Sequence, residues 1–535
     1  MSDPNRKSGA NYSSWDMEAD VVVAGAGAAG LAASLEAVLC EVSVLLIEEN
    51  VDVGGHAILS GGNFPIGGGT SLQKKYGISD SADLVYRDWT DPSVPESRYN
   101  DRELIRVWAD NNASTFEWLV ENGVRFRDER PKIFSFGTTV ARSCTSISDN
   151  MPSKENPAGR AGAGIIRPLE AAARKKGVRI ILRCKLKDII REDSRGKVLG
   201  ITATNLVENK IVRIGCKRGV VITTGGGSSN VNFRRIFDPR LTEEYQVAGE
   251  PYSFQSADGE LAAMAVGAAL YATANQTNEY GRSITKPGQI GCRYGYDHLK
   301  WLPKSPYFSL AGASGLTVSD WQDVILVNQV GNRFHDETKG NYEDPPTTFG
   351  WIDAALGPNG GDSNGGGPIW AIFDSEAVKR EGWNVQPPDV DYHGWFFKSD
   401  SIAGLARSIV NMYQKSPISA EALTETVRKY NGFVDAGRDK DFGKPSPRFK
   451  VEIPPFYAAW ATPVVHDTRT GLRINAKCEV IDTSGNIISG LYCAGESAGG
   501  FGMHGLPRCI VQGRIAGRNA AKELALPPMF KDTKT

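Results

Sequence analysis

Residues 20 to 48 read DVVVAGAGAAGLAASLEAVLCEVSVLLIE, and no other stretch restricts the fold as tightly. Val21 to Ala24 form a short apolar run suited to a buried strand. Gly25, Gly27 and Gly30 then supply a GxGxxG turn, a small-residue helix follows, and a second apolar strand ends at Glu48. In such a unit the first glycine permits the tight turn and the second lets a phosphate approach the backbone. The third lets the helix pack closely, and the pyrophosphate sits at the positive helix N-terminus. Glu48, twenty-three positions after Gly25, is placed to accept a hydrogen bond from a ribose hydroxyl. A lone GxGxxG is weak evidence. Set in the order strand, turn, helix, strand, acid, it predicts dinucleotide binding, the alternative being an ordinary βαβ unit with a glycine-rich turn.

With 535 residues the chain is too long for one simple core. Sixty-one basic side chains against 62 acidic ones give a formal charge of −1, so nothing points to nucleic acid or an anionic membrane. The eight cysteines form no CxxC pair, which argues against a zinc ribbon, an iron–sulfur cluster or a disulfide framework; no metal site is expected. The start is polar and reads as a disordered leader over 1–18. No apolar run reaches the length of a membrane span, and the expected location is cytoplasmic.

Helical spacing predicts a helix over 101–122, with Leu104, Val107, Trp108, Phe116, Trp118 and Leu119 near one face. A helix ending near Gly177 and then a strand follow. Residues 189–191, 198–203 and 211–214 predict a meander, and RGVVITTGGGSSN (218–230) a buried strand running into a triple glycine. Residues 54–69 are too glycine-rich for regular structure. Residues 256–270 and about 510–524 read as helices. From about 281 to 465 aromatic and proline content rises, and the nucleotide-binding pattern returns at GNIISGLYCAGESAGG (485–500). The expected class is therefore α/β. The first domain, 19–280 and 466–525, is split by an insert over 281–465, with a tail over 526–535.

Five segments in this order, GAGAAG, GGHAILSGG, ITTGGG, SADGELAAMAVGAAL with LVNQVGNRFHDE, and LYCAGESAGG, resemble the fumarate reductase/succinate dehydrogenase flavoprotein family, whose relatives include 3-ketosteroid Δ1-dehydrogenases. The resemblance implies a Rossmann-like FAD-binding domain interrupted by an α+β capping domain, with substrate held between them. It implies that Gly25, Ala26, Gly27, Ala29 and Gly30 cradle the pyrophosphate of non-covalent FAD and that Glu48 meets the adenosine ribose. Ser60, Gly61 and Gly62 would lie along the isoalloxazine edge, Lys185 and Leu186 flank the adenine through backbone atoms, and Glu496 reach the ribityl chain. Gly55, His56, Thr224, Gly225, Gly226, Asp258, Gly495, Ile510 and Val511 complete the expected cofactor set. Four residues separate His56 from Gly61, the spacing of the non-covalent form.

Members of this family add or remove hydrogen across a C–C bond beside a carbonyl or carboxylate. A side chain handles the proton on the carbon next to the one that exchanges hydride. The resemblance offers Tyr342, His466, His504 and Arg508 for acid/base and substrate-polarising work. Each also has an ordinary reading: cap packing for Tyr342, a satisfied core histidine for His466, a surface ion pair for Arg508. The arginine that fumarate reductases carry shortly after a segment like GNRFHDE is missing, since TKGNYEDPP follows here; the histidine beyond Gln276 is missing as well. That favours a ketone-desaturating dehydrogenase with an external electron acceptor or donor. The alternatives are a reductase of an unsaturated carboxylate, an alcohol or amine oxidase using O2, and a non-catalytic electron carrier. Tyr294, Tyr296, Trp301, Tyr307, Phe308 and Trp321 suit an apolar lid over a ring-bearing small molecule such as a cyclic ketone, or else the core of the cap.

Overall fold

A computed structural model of the chain describes residues 14–94, 97–133, 138–149, 161–193, 195–272, 284–296, 299–339, 355, 367–502 and 505–525. Strand β1 (Met17–Ala24) leads through the glycine turn into α1 (Ala28–Val38) and β2 (Val44–Ile47), which pairs parallel with β1 from Val21↔Val44 to Ala24↔Ile47. Val21 to Ala24 are fully buried, as expected for a parallel strand covered on both faces.

The glycine-rich stretch after β2 is more ordered than expected. Gly54 takes a left-handed conformation (φ +113°) and starts the one-turn helix α2 (Gly55–Ile58), and Asn63–Pro65 forms a strand against Ser143–Thr145. Helix α3 (Arg102–Glu121) begins where the Asp101 carboxylate accepts the N–H groups of Glu103 and Leu104 at 3.0 and 3.1 Å. Its predicted face is buried, apart from the half-buried Val107. Helix α4 (Ala163–Lys175) stops before Gly177, at φ +92°.

Strands β3 (Arg179–Ile181), β4 (Cys184–Arg191), β5 (Val198–Asn205) and β6 (Lys210–Ile222) follow. The predicted meander exists, but its third strand does not end at Ile214. It runs unbroken into the buried strand, so β6 pairs antiparallel with β5 at its start and parallel with β1 at its end. One strand thereby joins the meander to the parallel sheet. Helix α5 (Asp258–Ala265) closes this part.

The chain then builds a second sheet. Strands β7 (Ile325–Val327), β8 (Trp370–Phe373), β9 (Phe396–Ser399) and β10 (Phe456–Trp460) stand in the antiparallel order β7-β8-β10-β9. Alternation along β8 divides two cores. Ala371 and Phe373 face one side with Phe396 and Tyr457, while Trp370 and Ile372 face the other with Leu405 of α6 (Ile402–Ser408) and Leu423 of α7 (Ala420–Asp435). Tyr294, Tyr296, Trp301, Tyr307 and Phe308, from the aromatic stretch, instead pack on the core of the main sheet.

Where the chain leaves and returns, Ile284–Thr285 pairs antiparallel with Val464–Val465, which also pairs parallel with Gln246–Val247. After this seam, β11 (Glu479–Ile481) and β12 (Ile487–Cys493) rejoin the main sheet, β12 lying parallel to β6. The order is β11-β12-β6-β1-β2-β3. Helix α8 (Leu506–Lys522) starts earlier than expected and lies on α1, where Cβ atoms at Gly513 and Gly517 would fall 2.4 and 2.1 Å from the Ala29 and Ala33 carbonyl oxygens. Arg514 Nε bonds Glu36 across this contact at 3.1 Å.

Candidate active site

The pairings Ala24↔Ile47, Ala24↔Ile222 and Cys493↔Ile222 place the carboxyl ends of β2, β1, β6 and β12 level. The loops that carry Glu48, Gly25, Thr224 and Glu496 therefore open on one edge of the sheet, the usual place for a ligand on a parallel α/β sheet.

Gly25 has φ +100°, and a Cβ there would lie 2.4 Å from the Thr223 carbonyl oxygen; one at Gly30 would lie 1.8 Å from the Gly25 oxygen. A Cβ at Gly27 would meet only the Gly54 oxygen, at 4.0 Å, so this position is open on the ligand side. Glu48 ties the turn together, since its carboxylate accepts the Ala26 N–H at 2.7 Å and the Asn50 N–H at 2.9 Å. Burial pushes its carboxyl pKa up, while those two bonds favour the ionised form. Each oxygen keeps acceptor capacity toward the cavity that Glu48 lines.

That cavity has a volume of about 960 Å³. Of the sequence-predicted cofactor residues, Gly25, Gly27, Ala29, Glu48, Gly55, His56, Ser60, Gly61, Lys185, Leu186, Thr224, Gly225, Asp258 and Glu496 line it, and so does His466. Ala26, Gly30, Gly62, Gly226, Gly495, Ile510 and Val511 stand behind the wall. Gly62, Gly226 and Gly495 leave no room for a Cβ, and Ile510 and Val511 are fully buried in α8. An open phosphate-sized gap at Gly27, the unneutralised start of α1 and a carboxylate at the end of β2 fit the dinucleotide predicted from the sequence. At this end Lys185 Nζ pairs with Glu49 and Asp258, each at 2.8 Å.

The other end gathers a polar cluster. The rings of His56 and His466 are 6.2 Å apart, His466 Nε2 is 2.7 Å from the Tyr296 hydroxyl, and His466 Nδ1 is 3.6 Å from an Asp467 oxygen. The Gln255 amide donates to Glu496 and lies 3.4 Å from His56 Nδ1. Burial, aided by the Asp467 charge, pushes the Glu496 carboxyl pKa up. Thr468, in the same HDTRTG loop, accepts the N–H groups of Gly227 and Ser228 at 3.2 Å and so braces the triple-glycine turn.

Arg508 differs from expectation. Its guanidinium is fully buried, donates to the carbonyl oxygens of Phe501 (3.2 Å) and Ala498, and does not line the cavity. Helix α8 already begins at Leu506, so Arg508 sits in its first turn and reaches back to the loop before it. Tyr342 and His504 lie outside the described residues. Of the aromatic lid, Tyr296 and Tyr307 line the cavity. Trp301 is core, donating to the Glu250 oxygen at 3.2 Å, and Trp321 lies under Lys286 Nζ at 3.8 Å. Sequence reasoning missed Gln255, Tyr252 and Asp467. Asp467 had a signal, standing beside His466; the other two had none.

Among the described residues, no helix is long and apolar enough to cross a membrane, and no group of three or more His, Cys, Asp or Glu side chains is placed to hold a metal ion.

Comparison with known proteins identifies the family. The family model described as FAD binding domain matches residues 20–509. The chain is 28% identical over 515 residues to a urocanate reductase of Eggerthella lenta, covering 94% of this chain and 75% of that protein. A flavocytochrome c3 fumarate reductase in its open conformation superposes with a TM-score of 0.64 at 25% identity, covering 95% and 79% of the two chains. The fold is shared with a 3-ketosteroid-Δ4-(5α)-dehydrogenase of Rhodococcus jostii, with a TM-score of 0.56, 24% identity and 96% and 99% coverage. The chain belongs to the FAD binding domain family and is an FAD-dependent oxidoreductase acting on carbon–carbon bonds.

Proposed function

We propose that the protein moves hydrogen across a C–C bond beside the carbonyl of an uncharged, largely apolar substrate. The observation that carries this reading is the chemistry of the wall. Among the described lining residues the only Lys and Arg are Lys185 and Arg183, and both belong to the Glu48 end. Beside Tyr296 and His466 the wall presents Leu299, with carboxyls at Asp467 and Glu496, while the Tyr252 and Tyr307 rings, 4.8 Å apart, carry the apolar wall toward Asp52 and Glu48. Among the described lining residues there, a carboxylate substrate would meet acids and no Lys or Arg, which is unfavourable at low dielectric; the nearby Arg508 guanidinium is bonded to backbone carbonyls behind the wall. A ketone oxygen needs only a neutral donor.

Gly25, Gly27 and Ala29 would hold the FAD pyrophosphate and Glu48 its ribose, with Ser60, Gly61 and Glu496 toward the ring system. Bound FAD supplies hydride exchange. The protein's share is to polarise the carbonyl, carry the neighbouring proton and keep water out. Tyr296 and His466 are the described groups suited to the proton, and Tyr252, Tyr307, Leu299 and Leu310 to the exclusion of water.

A second reading, reduction of an unsaturated carboxylate, is favoured by the sequence relatives, which include urocanate and fumarate reductases. The experiment is anaerobic turnover with reduced viologen, cyclohex-2-enone against fumarate, acrylate and urocanate. Faster turnover of the neutral enone supports the reading. Fumarate turnover on the order of 10 per second, an ordinary enzyme rate, with an inert enone overturns it.

A further inference from the structure

The sequence offers Tyr296 as part of an apolar lid or of the core of the cap, yet its hydroxyl meets a histidine. We propose that Tyr296 is the catalytic acid/base of the site, with His466 as the positioning residue that takes and returns its proton and Asp467 setting the histidine's tautomer. The inference rests on the proposed chemistry at a carbon beside a carbonyl.

Three geometric facts support it. The Tyr296 oxygen is 2.7 Å from His466 Nε2, a short hydrogen bond. On the far side of the ring, Nδ1 lies 3.6 Å from Asp467 Oδ1, close enough for the carboxylate to favour the proton on Nδ1 and leave Nε2 as the acceptor. All three residues line the same cavity, and His466 follows directly on the seam strand Val464–Val465. Its backbone is therefore held by strand pairing on both sides, to Ile284–Thr285 and Gln246–Val247. Tyr296 comes from the aromatic stretch that packs on the main-sheet core. Among the described residues, the titratable and charged groups facing the three include His56 from α2, 6.2 Å away between ring centres, Glu496, linked to His56 through Gln255, and the buried Arg508, whose charge acts on Asp467.

A free phenol has a pKa near 10, so at pH 7 only about one in a thousand is ionised. A neutral imidazole that accepts the phenolic proton removes this handicap. When the substrate carbon loses hydrogen, the Tyr296 hydroxyl proton passes to His466 Nε2 while the phenolic oxygen takes the carbon-bound proton. The C–H electron pair stays on the substrate as its enolate, and the imidazolium balances that charge beside Asp467. In the opposite direction Tyr296 gives its proton to the carbon and recovers one from His466. The other described ionisable candidate from the sequence, Arg508, is turned onto backbone carbonyls and lines no part of the cavity.

The test uses the FAD-loaded protein labelled with 15N in its six histidine rings. His466 is assigned through His466→Gln. The neutral ring should carry its proton on Nδ1, with Nε2 bare. Tyr296→Phe should then move the Nε2 resonance of the neutral ring downfield, because that nitrogen loses its hydrogen-bond donor. A proton on Nε2 in the neutral ring overturns the relay, as does an unchanged Nε2 resonance in Tyr296→Phe. With cyclohex-2-enone as probe, Tyr296→Phe should also lower the rate of enone reduction by roughly 10²-fold at unchanged FAD content. A wild-type rate in that variant overturns the catalytic role. If the wild-type enzyme leaves the enone untouched, the proposed function fails, while the ring measurements still decide on the relay.

Discussion

Glu260 is the residue whose replacement should raise stability in a pH-dependent way. It lies in the first turn of α5, fully buried, and neither carboxyl oxygen has a well-formed hydrogen bond among the described residues. The Thr224 and Ser497 hydroxyls beside it bond each other at 3.1 Å. Burial pushes its pKa up to about 8, from an ordinary value of 4.5. The folded protein therefore keeps a proton that the unfolded chain loses as pH rises past 4.5. Unfolding releases that proton, so stability falls with rising pH across this window. At pH 7 the folded group lies about one unit below its pKa and the unfolded group about 2.5 units above, which makes the penalty about 3 kcal/mol. Glu260→Gln retains the shape without the titration. Its melting temperature in the FAD-loaded protein should match wild type near pH 4.5 and exceed it by a margin that widens up to about pH 8. A margin that stays constant over this range, or a variant less stable at pH 8, would refute the reasoning.

Gly25→Ala should purify without FAD, because its Cβ would sit 2.4 Å from the Thr223 oxygen at a φ that costs an L-residue roughly 1–2 kcal/mol before the clash; the flavin-to-protein absorbance ratio checks this. The yellow chromophore should leave the wild-type polypeptide on acid or heat denaturation, since His56 spacing matches the non-covalent form and its Nδ1 lies 3.4 Å from Gln255; flavin retained on a denaturing gel would count against it. Arg508→Ala should lower the melting temperature while leaving the substrate dissociation constant near wild type. It would strip a donor from two buried carbonyls, at about 1–3 kcal/mol each, without touching the cavity wall; a large loss of substrate affinity at unchanged stability would contradict this.

The sequence led to the cofactor half of the site because that half is local. Gly25, Gly27, Gly30 and Glu48 fall within one βαβ unit, where backbone sterics dictate residue type at fixed spacing. The substrate half was read less well. Local pattern singles out His466 but neither the role of Tyr296 nor Gln255, because the contacts that tie these residues into the site span 170 and 241 residues. Nothing in the local pattern around GCRYGYDH marks one tyrosine over the other.

By itself the sequence determined the α/β class, the FAD-binding fold and the turn and helix that open on the carboxyl edge of the sheet. These follow from apolar periodicity and glycine sterics, which act over a few residues. Only the tertiary structure decided that β6 carries both meander and parallel sheet, that Arg508 turns inward, and that Tyr296, His466 and Asp467 meet in one cavity. The seam of Gln246–Val247, Ile284–Thr285 and Val464–Val465 brings these distant segments together, and strand pairing between segments so far apart leaves no periodic trace in either one.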